Sequence, residues 1–79
     1  MRNPFSVAGV SSEIMAELAR GEAKFPAGFH SYHEGYGVIL EELDELWDEI
    51  KLQSPDRGRL RKEAIQVAAM AVRFIKELT

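Results

Sequence analysis

Apolar residues recur every three or four positions along most of this chain, a spacing that predicts amphipathic α-helices. Glycine and proline fall between the periodic segments and divide them into three. No segment carries the alternating pattern typical of a β-strand. The pattern therefore predicts an all-α fold, a small helical bundle made of one short and two long helices.

The first two helices have recognisable ends. In the segment "SSEIMAELARGEAKFP", Ser11 or Ser12 can cap a short first helix, which should stop within residues 21 to 26. The second helix should begin near Ser31 and continue to about Leu52. The connection between them, "AGFHSYHEGYG", is rich in aromatic residues and histidine.

The third helix should follow the turn "SPDRG", with Ser54 as its cap and Pro55 as its first residue, and run to the end of the chain. It is apolar almost all the way round. Val67, Met70 and Phe74 form one row, and a second set points elsewhere: Ile65, Ala68, Ala69, Val72 and Ile75. Three helices are too few to cover both sets, so we expect oligomerisation to complete the bundle, as a homodimer or a dimer of dimers.

Length and composition narrow the class of protein. The 79 residues make one domain, 1–79, which has limited apolar surface to bury alone. Without cysteine, it has neither disulfides nor a thiolate metal site. No apolar run is long enough for a membrane helix, and the first residues do not resemble a signal peptide. We therefore expect a cytoplasmic protein that does not act at a membrane.

The net charge of −3 argues against non-specific nucleic-acid binding, but the charges are unevenly distributed. Residues 31 to 50 hold seven acidic residues and no Lys or Arg, whereas residues 51 to 79 hold seven basic and three acidic residues. This distribution predicts that the second and third helices pack antiparallel with complementary charge.

On a helical wheel, the acidic residues of the second helix fall into two groups. The apolar stripe of this helix is formed by Ile39, Leu43, Leu46 and Ile50. One acidic group points to the far side and should be solvated: Glu41, Asp44 and Asp48. The other lies on a strip beside the apolar stripe: Glu42, Glu45 and Glu49. Because like charges at this spacing repel one another, we expect a positive charge beside this strip.

Glu63 continues the apolar row of the third helix, where an unpaired buried carboxylate is costly. One interpretation is that Arg59, Lys62 or water satisfies it in the first turns of the helix. The other is a metal ion. Two carboxylates three residues apart on one helix, facing a carboxylate on an antiparallel helix, offer the oxygen ligands that Mg²⁺ prefers. The pattern alone leaves both interpretations open.

Two segments, "HEGYGVILEELDELWDEI" and "RLRKEAIQVAAMAVRFI", resemble the MazG-like branch of the all-α nucleoside triphosphate pyrophosphohydrolases. Members of that family carry the motif EExxE, followed some residues later by ExxD. The first part is matched by Glu41, Glu42 and Glu45. Glu63 opens the second part, where Gln66 stands in place of the aspartate. The resemblance covers most of the chain.

This resemblance implies a Mg²⁺-dependent enzyme, with Mn²⁺ as an alternative metal, that hydrolyses a nucleoside triphosphate to the monophosphate and pyrophosphate. It assigns the metal to four residues: Glu42, Glu45, Glu63 and Gln66. Glu41 and Glu42 become the catalytic candidates, with Glu49 as an alternative outer ligand or base. Gln66 is neutral, so its amide oxygen either ligates the metal or holds a water bound to it, unless the residue occupies a boundary position.

Two other functions remain compatible with the sequence: a non-catalytic helical interaction module, and a protein that binds nucleotides without hydrolysis. Four bases are candidates for phosphate contacts, although each also fits a salt-bridged or solvated position: Lys51, Arg59, Lys62 and Arg73. Tyr32, His33 and Tyr36 either line a base-binding pocket or pack the first helix against the other two. Trp47, on the far side of the second helix from the acidic strip, fits a helix or subunit contact.

Overall fold

A computed structural model describes residues 3 to 79, which form three α-helices: α1 Val7–Lys24, α2 Tyr32–Ile50 and α3 Arg57–Leu78. The predicted all-α fold is confirmed, and this described range contains no β-strand. Within it, none of the helices combines the length and the apolar character that crossing a bilayer requires.

The first helix is longer than predicted. Ser6 caps it by accepting a hydrogen bond from the backbone N–H of Gly9, so α1 begins at Val7 and residues 11 and 12 lie inside it. Asn3 supports this start, because its backbone carbonyl accepts hydrogen bonds from both the N–H and the hydroxyl of Ser6. The cap therefore lies upstream of the serines that the sequence favoured.

The other two helix starts are also set by caps. Ser31 accepts from the backbone N–H of Glu34, which confirms the predicted start of α2. The predicted start of α3 is wrong, because Asp56 caps this helix by accepting from Arg59, and residues 54 and 55 lie outside it. An aspartate carboxylate caps as well as a serine hydroxyl, and here it is the acceptor adjacent to the first turn.

The central helix of the fold is α3, and no Cα atom of α1 comes within 8 Å of one in α2. α2 runs antiparallel to α3, with Gly35 packed against the last turns of α3. α1 runs parallel to α3, since Glu13 pairs with Arg61 and Glu22 pairs with Lys76. The antiparallel packing is as predicted. The predicted charge pairing is not, because the described ion pairs between helices join α1 to α3.

The core of the single chain is small. Leu18 of α1 and Ala69 of α3 are the buried apolar side chains of the described range, and no large side chain in it is fully buried. The second apolar set of α3, Ile65 to Ile75, is buried or half-buried apart from Ile75 itself. The second apolar neighbour that α3 was expected to need is therefore α1 of the same chain. A large part of the exposed apolar surface lies on α2.

That surface is the outer stripe of α2, formed by Tyr36, Leu40, Leu43, Trp47 and Ile50. Its members are spaced alternately four and three residues apart, which is the spacing of a coiled-coil seam. Leu43 is 47% exposed and Trp47 is 57% exposed. The apolar stripe expected on α2 is thus divided between two directions, because Ile39 and Leu46 are half-buried whereas Leu43 and Ile50 are exposed.

The close approach of α2 to α3 at Gly35 yields a stability prediction. A Cβ atom at this position would lie 2.6 Å from a ring carbon of Phe74 and 2.9 Å from a methyl carbon of Leu78. We expect Gly35→Ala to lower the free energy of unfolding by about 1 to 3 kcal/mol, because the packed ring must move. Chemical denaturation measures the change.

Gly37 provides the matched control on the same helix. Apart from its own stretch of helix backbone, a Cβ atom there would meet no heavy atom within 4 Å. Gly37→Ala should therefore raise stability by about 0.5 to 1 kcal/mol, since alanine loses less conformational entropy in a helix. Equal effects of the two substitutions would contradict the described packing of α2 on α3.

Candidate metal centre

Three carboxylates from two helices converge at the middle of the α2–α3 interface. Glu42 and Glu45 lie one turn apart on α2, and Glu63 lies in the second turn of α3. One carboxylate oxygen from each lies within 4.8 Å of the others. The structure thus brings together the three carboxylates that were expected to bind a metal, and their oxygen atoms are the hard ligands that Mg²⁺ favours.

Glu63 does not occupy the surface ion pair that was one interpretation of its position. It is half-buried, and in the described part of the chain its carboxylate forms no salt bridge with Arg59, Lys62 or another cation. Its charged neighbour in the cluster is instead Glu45, which repels its negative charge, and Lys62 offsets part of this repulsion without pairing with it.

The proximity of these groups shifts their protonation. Burial, followed by the charge and hydrogen bond of Glu45 and the charge of Glu63, raises the pKa of Glu42 to about 7. Burial and the hydrogen bond with Glu45 also raise the pKa of Glu63. Both shifts have the same cause, since a negative charge is harder to hold away from water and beside another negative charge. Near neutral pH, the cluster therefore tends to retain a proton.

Gln66, the fourth expected ligand, lies between two of the carboxylates. When its amide nitrogen faces these carboxylates, Gln66 donates hydrogen bonds to Glu42 at 2.9 Å and to Glu63 at 3.2 Å. The orientation of an amide is assigned from its hydrogen bonds, and the opposite one would set its oxygen against carboxylate oxygens. Gln66 is therefore part of the cluster, with its nitrogen rather than its oxygen turned toward Glu42 and Glu63.

The remaining acidic residues of α2 have different surroundings. Glu49 is only 7% exposed and accepts a hydrogen bond from the backbone N–H of Asp56, so it fixes the turn into α3. Glu41 is exposed. Asp44 and Asp48 are exposed as predicted. Of the candidate outer ligands or bases, Glu41 is thus the one that solvent reaches freely.

A cleft of about 840 Å³ opens beside the cluster, between α1 and α2. Glu41, Glu42 and Gln66 contribute to it, and its apolar surface includes Phe29 and Met70. Two cations of α1 also line it: Arg20 and Lys24. The cleft is large enough for a small organic ligand whose polar end reaches the carboxylates. The sequence did not reveal it, because the position of α1 was not predictable from periodicity.

The aromatic residues expected at a base-binding pocket lie elsewhere. Tyr32 and Tyr36 are exposed, and neither they nor His33 lines the cleft. Tyr32 instead lies beside Phe74 of α3, with 6.2 Å between ring centroids. Neither of the two interpretations of this aromatic group, a base pocket or packing against α1, describes its place in the fold.

The four bases considered for phosphate contacts separate in the structure. Arg73 is buried and donates to the Glu77 carboxylate at 2.7 Å and to the Phe25 carbonyl at 2.5 Å, so it fixes the α1–α2 connection. Lys51 pairs with Asp48 on the exposed side of α2. The other two, Arg59 and Lys62, line a second cavity of about 480 Å³ that also includes Glu45 and Glu63.

Comparison with protein-family models, with curated proteins and with solved structures finds no match to this chain. The chemistry of the site is therefore interpreted from its own geometry. The carboxylate cluster lies between a cleft with apolar and charged residues on one side and a smaller cavity that includes Arg59 and Lys62 on the other.

The raised pKa of Glu42 predicts how stability depends on pH. Because its folded-state pKa of about 7 exceeds the ordinary value of 4.5, protonation of Glu42 stabilises the fold, and this contribution is lost as pH rises through 7. In EDTA, Glu42→Gln should be more stable than the wild type at pH 8 by on the order of 1 kcal/mol after solvent screening, and not at pH 5. Urea denaturation at the two pH values measures this.

The control is Asp44→Asn, an exposed acid on the same helix but outside the cluster. It should change stability by a similar small amount at both pH values. If the stability of Glu42→Gln depends on pH as that of the wild type does, Glu42 does not hold the proton.

Proposed function

We propose that this chain is a divalent-metal-dependent nucleoside triphosphate pyrophosphohydrolase, which releases pyrophosphate and a nucleoside monophosphate. The observation that carries the proposal is the convergence of Glu42, Glu45 and Glu63 at the end of a cleft with apolar walls. Its further support is the resemblance of the sequence to the MazG-like family at these same residues. The expected setting is cytoplasmic.

The residues fit a magnesium or manganese ion. Three carboxylate oxygens within 4.8 Å of one another can share one ion, and burial together with the neighbouring carboxylates raises the pKa of Glu42 and of Glu63. Glu42, Glu45 and Glu63 would hold the ion, which when bound would offset the negative charge of the triphosphate and lower the pKa of a water molecule. Glu42 would release the proton that it retains near pH 7 when a cation binds at the cluster.

The groups around the cluster suggest how a nucleotide is oriented. The nucleoside lies in the cleft against Phe29 and Met70, and the triphosphate extends toward the carboxylates. Arg59 and Lys62, in the cavity beyond, balance the charge of the departing pyrophosphate. Exposed Glu41 accepts the proton of the water that attacks phosphorus, and the bond between the α- and β-phosphates breaks.

We also propose that the functional form is a homodimer or a dimer of dimers. The outer stripe of α2 runs over about 21 Å, and no charged residue interrupts it. A chain with such a small core gains stability by covering this surface. The coiled-coil spacing of the stripe allows it to pack against the same stripe of a second copy. The outer stripe equally supports the alternative function, a non-catalytic interaction module.

Pyrophosphate release tests the activity. Purified protein with saturating Mg²⁺ should release pyrophosphate from at least one ribo- or deoxyribonucleoside triphosphate. Glu63→Gln should reduce the rate on the order of 100-fold or more, because a metal ligand accounts for several kcal/mol of transition-state stabilisation. Asp44→Asn, which alters an exposed acid outside the cluster, should retain the wild-type rate. No release from any substrate, with metal binding intact, would favour the non-catalytic module.

Sedimentation tests the oligomer. The wild type should sediment at micromolar concentration as a multiple of the 8.9 kDa chain, and Leu43→Lys should shift it toward the monomer by placing a charge in the outer stripe. Val7→Lys is the control, since Val7 is an exposed apolar residue outside the stripe. A folded monomeric wild type would contradict the proposal.

A further inference from the structure

Gln66 is a neutral polar side chain placed among the clustered carboxylates, and it contacts two of them at once. Its amide nitrogen lies 2.9 Å from a Glu42 oxygen on the neighbouring helix and 3.2 Å from a Glu63 oxygen one turn earlier on α3. These contacts join α2 to α3 at the cluster itself. The described residues place no cation within salt-bridge distance of either carboxylate.

The chemistry of the amide explains why it suits this position. An amide nitrogen carries two hydrogens and can donate to two acceptors, whereas an ionised carboxylate can only accept. A donor shared by two carboxylates favours one orientation of each and reduces their mutual repulsion. An aspartate at position 66 has no hydrogen to donate when ionised, and it adds a further negative charge.

We infer that Gln66 is a positioning residue, which holds the carboxylates of Glu42 and Glu63 in place by donating to both, and that it is not itself a metal ligand. This inference rests on the proposed function, because the carboxylates that Gln66 positions are those proposed to hold the ion. It also predicts that three carboxylates define the site, which then takes one ion rather than two.

The first test needs no metal. In EDTA, Gln66→Met keeps the length of the side chain but removes both donors, so its denaturation midpoint should fall below that of the wild type. Gln66→Asp should lower the midpoint further, because it adds a charge to the cluster. Gln53→Met, the same substitution at an exposed glutamine in the turn before α3, should leave the midpoint unchanged. No loss in Gln66→Met would overturn the inference.

A spectroscopic test addresses the amide directly. The side-chain NH₂ signal of Gln66, identified by its absence in Gln66→Met, should show slow hydrogen exchange in the metal-free protein. The NH₂ signal of Gln53 should exchange rapidly. A Gln66 signal that exchanges as rapidly as that of Gln53 would show that the hydrogen bonds to the carboxylates are not formed.

The last test separates positioning from ligation. Titration with Mn²⁺ should show binding weakened by about 10- to 100-fold in Gln66→Met, as is typical of a residue that orients ligands, and by a clearly larger factor in Glu45→Gln, which removes a ligand. Equal losses in the two variants would make Gln66 a ligand and overturn the inference. A wild type that binds no Mn²⁺ would contradict the proposed function, while the metal-free measurements would still decide the role of Gln66.

Discussion

The antiparallel packing of α2 on α3 is the contact on which both the fold and the candidate site depend. At one end, Gly35 allows the backbone of α2 to approach Phe74 closely, and at the other the buried carboxylate of Glu49 binds the backbone of Asp56. These two contacts fix the register of the helices. Since a shift of one residue rotates a side chain by about 100° on a helix, the convergence of Glu42 with Glu63 requires this register.

That convergence opposes stability in the metal-free chain. Burial and like charge raise the pKa of Glu42 and of Glu63, and within the described range no cation forms a salt bridge with either carboxylate. If stability alone determined their positions, the three carboxylates would lie farther apart or would pair with the basic residues of α3. Instead, the ion pairs that join helices in the described range lie at the α1–α3 interface, where Arg61 and Lys76 pair with α1. This cost supports the proposal that a cation completes the site.

Local chemistry and helical geometry made much of the fold and the cluster predictable from the sequence. The cap at Ser31 and the angular positions of Glu42 and Glu45 depend on neighbouring residues and on the 3.6-residue repeat. The start of α1 was missed because Ser6 is followed by residues that do not show helical periodicity clearly. A helical wheel gives the direction of a side chain but not the element that covers it. The exposure of Leu43 and the position of the cleft therefore required the tertiary structure.

The exposed surfaces of α2 differ in chemistry, and this difference separates their roles. The cleft between α1 and α2 joins apolar residues to cations and ends at carboxylates, a mixture suited to a ligand with both an apolar and an anionic part. The outer stripe, on the opposite side of α2, is apolar throughout and suits the surface of another helix. Because the carboxylates face α3 and the stripe faces away from it, a second copy can cover the stripe while the cleft stays open. Association and ligand binding can therefore occur on the same helix without competing.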